Sequence, residues 1–425
     1  MKTKPFWSDN FPRPVDLPVT AELPQKVDVA IIGSGYTGLN AARVLAKNGA
    51  AVAVLERETI GWGASSRNGG MTTPGLKQKT ANVMKWYGKE KGREFWQITL
   101  DAIDLIENIV TEEEIDCDWQ RNGYVALAYK ASHFEQMQQS VAWFKSELDY
   151  SLQVVGPDDL SSEIGTAVFY GGLADDNGAG IQPAKYVFGL ARAAARHGAV
   201  LCEGAGVTNL SHNSGPSPFT LQTKQGVIEA GEVVVATNGY TNKLIPGLKP
   251  KIFPVGSYCI VTEPLTPELQ SRLSPKGRMY YDSKRFLNYF RLTPDGRMLW
   301  GGRNNLSTDL DLGKSATTLR AQMVHTFPQL RDIPITHSWT GQLGLTFDLM
   351  PHIGRMNGIH YALGYGGHGL SMASYLGTEI GLLLSGQKSH SPFAEIPHKN
   401  KWFYRGRPWF IPLAAQYYRF LDWTS

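Results

Sequence analysis

Residues 27–56 read VDVAIIGSGYTGLNAARVLAKNGAAVAVLE, and their pattern decides the fold. Val27, Val29, Ile31 and Ile32 form a short apolar run rich in β-branched residues, which suits a strand buried on both faces. Gly33, Gly35 and Gly38 fill the three positions of GxGxxG, with Tyr36 and Thr37 between the last two. The first glycine allows a tight turn, the second admits a pyrophosphate close to the backbone, and the third lets a helix pack on the strand. Phosphate then sits on the exposed N–H groups at the positive end of that helix. Leu39, Ala42, Val44 and Leu45 continue the helix, Gly49 fits its C-terminal cap, and Ala51 to Leu55 read as a second strand. Glu56 follows, where a carboxylate accepts hydrogen bonds from the ribose hydroxyls of a dinucleotide's adenosine half. FAD and NAD are both open at this point.

At 425 residues the chain exceeds one small core, and two or three intertwined domains are expected. A composition of 42% hydrophobic and 19% charged residues reads as a soluble globular protein. The net charge of +4 is slight for this length and calls for no nucleic-acid partner. Cys117, Cys202 and Cys259 lie far apart without CxxC spacing, which argues against a zinc site or a disulfide framework and fits a reducing, cytoplasmic compartment. The start, MKTKPFWSDNFPRPVDLP, has early lysines but no apolar core, and reads as an ordered or semi-ordered leader rather than a signal peptide. No apolar run is long enough to span a bilayer.

Downstream, GWGASSRNGG from Gly61 to Gly70 is a loop whose amides and hydroxyls can approach a polar ligand, or a flexible surface loop. Its place just after Glu56 favours the cofactor. Phe95, Trp96, Ile98, Ile103, Leu105, Ile106 and Ile109 predict an amphipathic helix ending near Glu112 to Glu114. PAKYVFGLARAAARHGAVLCEGAGV from Pro183 repeats the grammar of alanine-rich helix, capping glycine and strand, with Val207 near its edge. EAGEVVVATNGY predicts a strand that ends in a turn, Ala236 to Gly239, at the carboxyl end of a sheet. Residues from about 250 to 338 read as strands of a second domain, where Tyr258, Tyr289, Arg291 and Arg303 are either cavity residues or ordinary sheet residues. Finally, GYGGHGLSMASYLGTEIGLLLSG is a second glycine turn followed by a helix. FAD, unlike NAD, needs protein at both ends, and a helix N-terminus beside the pyrimidine stabilises negative charge on a reduced flavin. His368 in that turn is as compatible with a structural role as with a catalytic one.

These motifs together resemble the flavin-dependent amine and amino-acid oxidases related to D-amino-acid, glycine and sarcosine oxidases. The resemblance covers almost the whole chain and rests on GSGYTG with Glu56, GWGASSRNGG, ATNG at Ala236 to Gly239, and PHIG with GYGGHG. GWGASSRNGG, WTGQLGLTFDLMPHIGR and the overall length look most like the gamma-glutamylputrescine oxidase branch. The implied fold is α/β: a Rossmann-like FAD-binding domain of the GR2 type, with an interleaved α+β substrate domain built on an antiparallel sheet. Residues 1–80, 151–248 and 339–400 would form the first domain, 81–150 and 249–338 the second, and 401–425 a C-terminal arm. By position, Gly33, Gly35, Tyr36, Thr37 and Gly38 would hold the pyrophosphate, Glu56 and Arg57 the adenosine ribose, and Val207 would face the adenine. Gly63 and Ala64 open a cofactor loop whose Ser65, Ser66, Arg67, Asn68, Gly69 and Gly70 would run beside the flavin, close to the turn at Ala236, Thr237 and Gly239. Gly366, Gly367, His368, Gly369 and Leu370 would meet the pyrimidine edge.

The implied chemistry is hydride transfer from an amine-bearing carbon to flavin N5, followed by imine hydrolysis and reoxidation by oxygen. Tyr258 and Tyr289 are expected as aromatic walls, with His368 beside the flavin. Departures from the family pattern shape the rest. Sarcosine oxidases tether flavin through a cysteine just before the segment matching Gly341 to Thr346, and dehydrogenase relatives through a histidine in the loop matching Gly61 to Gly70; neither residue is present, and FAD is expected to be non-covalent. Gln342-Leu343-Gly344-Leu345 stands where glycine-type oxidases carry a carboxylate-binding arginine, which favours an amine, or a carboxylate held by a residue such as Arg291. Leu299 and Trp300 stand where sarcosine oxidases place an oxygen-activating lysine, and oxygen therefore competes with quinone as the expected acceptor. The alternatives are a glycine- or D-amino-acid-type oxidase and a membrane-associated dehydrogenase. The arm mixes Trp402, Phe403, Trp409, Phe410, Tyr417 and Tyr418 with Lys401, Arg405, Arg407 and Arg419, a pattern of intramolecular or intersubunit docking or, less favoured, of a membrane interface.

Overall fold

Lys26–Ile32 is the central strand of a nine-stranded sheet, paired in parallel with Val52–Leu55 on one side and Val227–Val235 on the other. Val200–Cys202 and the edge strand Val19–Thr20 extend the sheet beyond Val52–Leu55. Past the centre, Ile359–Leu363 joins the end of Val227–Val235 in parallel, while the antiparallel hairpin Val207–His212 and Phe219–Thr223 joins its beginning. The computed structural model describes residues 1–424 apart from Ala21, 216–217 and 303–305, and the side chains of Arg419, Trp423 and Thr424 are also not described. Arg303 lies outside the described residues.

Alternation along the central strand divides the core. Val29 and Ile31 face a layer of helices that includes Tyr36–Lys47, Pro183–Arg196 and Gly369–Leu384, while Val27, Ala30 and Ile32 pack with Phe219, Leu221 and Leu248 on the other side. Lys89–Glu112 ends at the predicted acidic run. Its apolar stripe, Phe95, Ile98, Ala102, Ile106 and Ile109, packs into the helical layer of this first sheet. An expected boundary moves as a result: residues from about 81 to 112 do not belong with the second domain.

Eight strands form the second sheet, in the order Ile335–Leu345, Phe253–Pro264, Arg297–Gly302, Asn288–Leu292, Met279–Asp282, Tyr124–Leu127, Gly172–Asp175 and Gln153–Val155. All pairs are antiparallel except the parallel pair of Met279–Asp282 with Tyr124–Leu127. Two further boundaries are corrected here. Gln153–Val155 and Gly172–Asp175 pair with Tyr124–Leu127, and Ile335–Leu345 pairs along Phe253–Pro264, which places both stretches in the second sheet rather than the first. One face of this sheet, with Cys259, Val261, Leu299 and Trp339, joins the core of the first layer; the opposite face, with Tyr258, Ile260, Phe290 and Trp300, packs under Leu312–Thr326.

The leader is ordered. Phe6 and Trp7 are buried, the Trp7 indole donates to the Asn68 carbonyl at 2.8 Å, and Asp9 meets His337 at 3.0 Å. The C-terminal arm docks on the second sheet, where Tyr404, Ile411 and Ala415 are buried with Phe253, Val255 and Leu345. Asp422 fastens its end, accepting from the backbone N–H groups of Arg285 (2.8 Å) and Phe286 (3.1 Å). Trp402 remains 90% exposed on the arm's outer side. Among the described residues no helix is long and apolar enough to cross a membrane.

Far from the glycine turns, a buried charge cluster locks the first helix in place. Glu113, just past Lys89–Glu112, meets Arg43 at 3.0 Å, Arg196 at 2.8 Å and His197 at 3.1 Å. Burial raises the Glu113 pKa, but hydrogen bonds from His197 and Arg43 outweigh it and hold the carboxyl below its ordinary value.

Candidate active site

Two helix N-termini converge on one cavity of about 1050 Å³. Tyr36–Lys47 and Gly369–Leu384 both begin at the carboxyl ends of parallel strands and cross at close range. A Cβ on Gly377 would lie 2.3 Å from the Thr37 carbonyl oxygen, and the Thr37 and Tyr365 hydroxyls meet at 2.6 Å. Gly38 permits the equivalent contact within the first turn, since a Cβ there would stand 2.0 Å from the Gly33 carbonyl oxygen. Glu56 is oriented by Ser34, whose N–H and hydroxyl donate to Oε2 at 3.0 and 2.7 Å, and by the Glu58 N–H at 3.0 Å to Oε1. Oε2 is filled by its two donors, and Oε1, with one, still has acceptor capacity for a ribose hydroxyl. One continuous wall therefore offers a ribose acceptor at one end, a helix N-terminus along its length and a second at the other end. These residues fit a dinucleotide flavin.

Of the residues expected at the cofactor, four do not line the cavity. Gly38 is occupied by helix-to-strand contact, the Ser66 hydroxyl donates to the Gly61 carbonyl at 2.8 Å, Gly70 turns the loop against Ile181, and Gly239 packs on the backbone of Gln342 and Leu343. They shape the wall from behind. The remaining ones line it, from Gly33 and Glu56 through Arg67 and Val207 to Gly366 and Leu370. Arg67 is held by the Trp62 and Thr340 carbonyls and lies 4.4 Å from the Trp62 ring centroid.

The substrate-side residues divide. Tyr289 and His368 line the cavity. The Tyr289 hydroxyl is fixed by Ser257 Oγ at 3.1 Å and Cys259 Sγ at 3.2 Å. Tyr258 does not line it: it points to the opposite face of the sheet, where its hydroxyl donates to the Ser307 carbonyl and accepts from the Leu310 N–H, both at 2.9 Å. Arg291 is also corrected. It shares a face with Tyr289 but lies under the Gly70 bend, where it is 4% exposed and donates to the carbonyls of Gly70, Ile181 and Leu292. Burial lowers its pKa to about 10, and its donors are committed to the backbone rather than to a substrate carboxylate.

Two roof residues escaped the sequence reading. Tyr281 pairs across strands with Tyr289, and Tyr124 stacks on Tyr281 with ring centroids 5.6 Å apart. Behind them the buried Asp175 accepts from the hydroxyls of Tyr124 (3.0 Å) and Tyr150 (2.7 Å). Burial, reinforced by Asp175, pushes the Tyr281 phenol up to about 12 and the Tyr124 phenol well above its ordinary value. Both stay neutral at working pH. The segment Leu76 to Ala81 and one side of the helix Ala131–Leu148 complete the lining.

Next to this wall, the Gln78 side chain donates to the Asp348 carbonyl, and Asp348 in turn meets His352 at 2.9 Å. His352 stacks on His398 with centroids 4.0 Å apart. Burial, with His352 and Lys251 nearby, holds the His398 pKa down to about 3. A histidine kept neutral in the fold contributes stability that is whole above its unfolded value, about 6.5, and is lost as pH falls toward 3. Thermal melts are therefore expected to weaken as pH falls below about 6.5, a decline that starts before most carboxylates titrate. His398→Phe should flatten that limb, and an unchanged pH profile in this variant would refute the assignment.

Comparison with known proteins agrees with this geometry. The chain is 30% identical over 410 residues to a probable oxidoreductase, OrdL, of Haemophilus influenzae, covering 94% of this chain and 92% of that one. It is 31% identical over 401 residues to the gamma-glutamylputrescine oxidoreductase of Escherichia coli, covering 93% and 92%. Its fold matches the crystal structure of glycine oxidase from Geobacillus kaustophilus with a TM-score of 0.75 at 21% identity, covering 89% of this chain and 99% of that one. The DAO family model, described as FAD dependent oxidoreductase, matches residues 28–381, and the protein belongs to that family.

Proposed function

We propose that the protein oxidises the CH–NH bond of a primary or secondary amine with non-covalently bound FAD and oxygen as acceptor, and that its substrate is a gamma-glutamylated amine or a close chemical relative. The observation that carries this reading is the convergence of both helix N-termini, at Tyr36 and Gly369, on a cavity roofed by Tyr124, Tyr281 and Tyr289. When bound, FAD supplies the hydride acceptor and passes the electrons to oxygen. Gly33 to Thr37 and Glu56 would hold its pyrophosphate and ribose, and the dipole of Gly369–Leu384 would favour negative charge beside Gly366 to Leu370.

The protein's own part is to bind, desolvate and orient. Burial beneath the roof strips water from an ammonium ion and lowers its pKa, and the amine is held neutral with its lone pair available. The Tyr124 and Tyr281 phenols have raised pKa values and serve as walls rather than bases. Ser257 and Cys259 fix Tyr289, which limits the ways a substrate carbon can lie against the cofactor. The 31% identity to a gamma-glutamylputrescine oxidoreductase supports the choice of substrate.

Two measurements test this. Acid precipitation of the purified protein should leave yellow supernatant; a yellow pellet would refute non-covalent binding. Anaerobic addition of amines should bleach the flavin, and air should restore colour with release of peroxide. Bleaching by α-amino acids alone would make the protein a glycine-type oxidase. Colour that returns only with quinone would favour a dehydrogenase docked to membrane through the exposed Trp402 and Trp409 of the arm.

A further inference from the structure

Ala131–Leu148 is an 18-residue helix with no buried residue. Phe134 packs at Gly171 near one end and Phe144 meets Trp96, with centroids 5.3 Å apart, near the other. Between these anchors the side turned to the cavity carries Gln136, Gln139, Ser140 and Trp143. Spacings of three and four residues place these on a single stripe. In a helix packed on a core that stripe is apolar; here it offers two carboxamides and a hydroxyl. The segment around Gln78, with Lys77 and Lys79 on either side, lines the same cavity. It runs directly along the second glycine turn, since a Cβ on Gly366 would lie 2.7 Å from the Lys77 Cβ.

The charges of the lining are lopsided. Among the described lining residues Glu56 is the sole carboxylate, and it belongs to the adenosine end beside Arg57 and Val207. Asp175 is sealed behind Tyr124 and Tyr150. Arg57 pairs with Glu58, and Arg67 is held by Trp62 and Thr340. On the substrate half the lining carries Lys77, packed along the second glycine turn, and Lys79, which is exposed. A free diamine would bring a second ammonium to a lining that, among the described residues, offers no carboxylate on that half and presents Lys79. An amine whose far nitrogen is masked as an amide, and whose acyl group ends in a carboxylate, reverses that mismatch.

We propose that the Ala131–Leu148 helix and the Lys77–Lys79 segment form a tail site for an amide-linked carboxylate at the far end of the amine substrate, with Lys79 as its main cation and Gln136 and Gln139 as amide partners. This deepens the amine-oxidation reading and rests on it. The site selects substrates by charge at a distance from the reacting carbon, which explains how a cavity without an anionic anchor accepts an amine of diamine length.

The test compares N-succinylputrescine, N-acetylputrescine and putrescine in anaerobic flavin reduction by the holoenzyme. The expected order of the second-order rate constant for flavin reduction is succinyl, then acetyl, then free diamine, with about tenfold or more between the first two. Lys79→Glu should collapse that ratio, and Lys79→Arg should retain it. N-butylsuccinamic acid, which has no amine to oxidise, provides a readout independent of turnover: its Kd by calorimetry should rise about tenfold in Lys79→Glu and should also rise in Gln139→Ala. Equal reduction rates for all three amines, a succinyl preference untouched by Lys79→Glu, or loss of flavin in place of selectivity would overturn the tail site while leaving amine oxidation standing. Failure of every amine to reduce the flavin would instead overturn the amine-oxidation reading itself.

Discussion

Alanine at position 38 is expected to leave the protein without its cofactor. The added Cβ would stand 2.0 Å from the Gly33 carbonyl oxygen and 3.2 Å from Ile31 Cγ2, and neither neighbour is the flexible end of a side chain. The helix Tyr36–Lys47 must lift from the strand, moving the N–H groups that would face the pyrophosphate. Overpacking of this kind costs about 1–3 kcal/mol where side chains can yield, and a backbone oxygen yields less. FAD affinity should fall by roughly a hundredfold or more, equivalent to about 3 kcal/mol. The ratio of flavin to protein absorbance after gel filtration measures the loss. Gly49 is the control, because a Cβ there meets nothing within 4 Å and alanine adds only the strain of φ +85°. A Gly38→Ala protein that purifies as yellow as the parent would show that the turn is not the cofactor cradle.

The second large effect is expected far from the cavity. Glu113→Ala leaves Arg43, 5% exposed, facing only the half-exposed Glu112 at 3.5 Å. Removing one partner of a buried pair costs about 3–5 kcal/mol, because the remaining charge is stranded. The chain builds two large sheets, and the readout is an apparent thermal midpoint rather than a two-state free energy. Adding Arg43→Met should recover much of the loss, since no charge is then stranded. Equal melting of Glu113→Ala and the parent would refute the lock, as would a double variant worse than the sum of its singles. The carboxyl is held below its ordinary value, which sets the sign with pH: the contribution is complete above the unfolded carboxylate range and fades as acid protonates Glu113.

The cofactor half of the site was legible because its chemistry is local. A glycine turn, a helix start and a carboxylate on the next strand sit within thirty residues, and each residue type follows from what the backbone or ligand requires there. The substrate half was not, because it depends on pairing between distant strands. Phe253–Pro264 is buried on both faces, and no alternation of polar and apolar residues reveals that Ser257 lines the cavity, with Cys259 on the same face, while Tyr258 faces Leu312–Thr326. Tyr280 and Tyr281 are adjacent and alike, and only the register with Tyr289 shows which one forms the roof. Tyr124 joins them through a parallel pairing across more than 150 residues. Arg291 has the parity expected of a cavity residue but sits one step too far along its strand, beneath the Gly70 bend. The domain boundaries slipped for a similar reason: Gln153–Val155 and Gly172–Asp175 find their partner in Tyr124–Leu127, a match that composition does not announce.

The chain passes back and forth between its two sheets, and this order of threading governs its birth on the ribosome. Lys26–Ile32 emerges early, its partner Val227–Val235 much later, and Ile359–Leu363 later still. At ~5–20 residues per second, roughly 15–70 s separate the first of these strands from the last. Until Val227–Val235 follows, the nascent central strand exposes an unpaired hydrogen-bonding edge, and throughout the interval Ser34 to Gly38 have no second helix against which to settle. Non-local closure of this kind makes folding slow and leaves incomplete chains open to edge-to-edge association. The glycine turn that binds first in the sequence is thus among the last parts of the molecule to become able to bind.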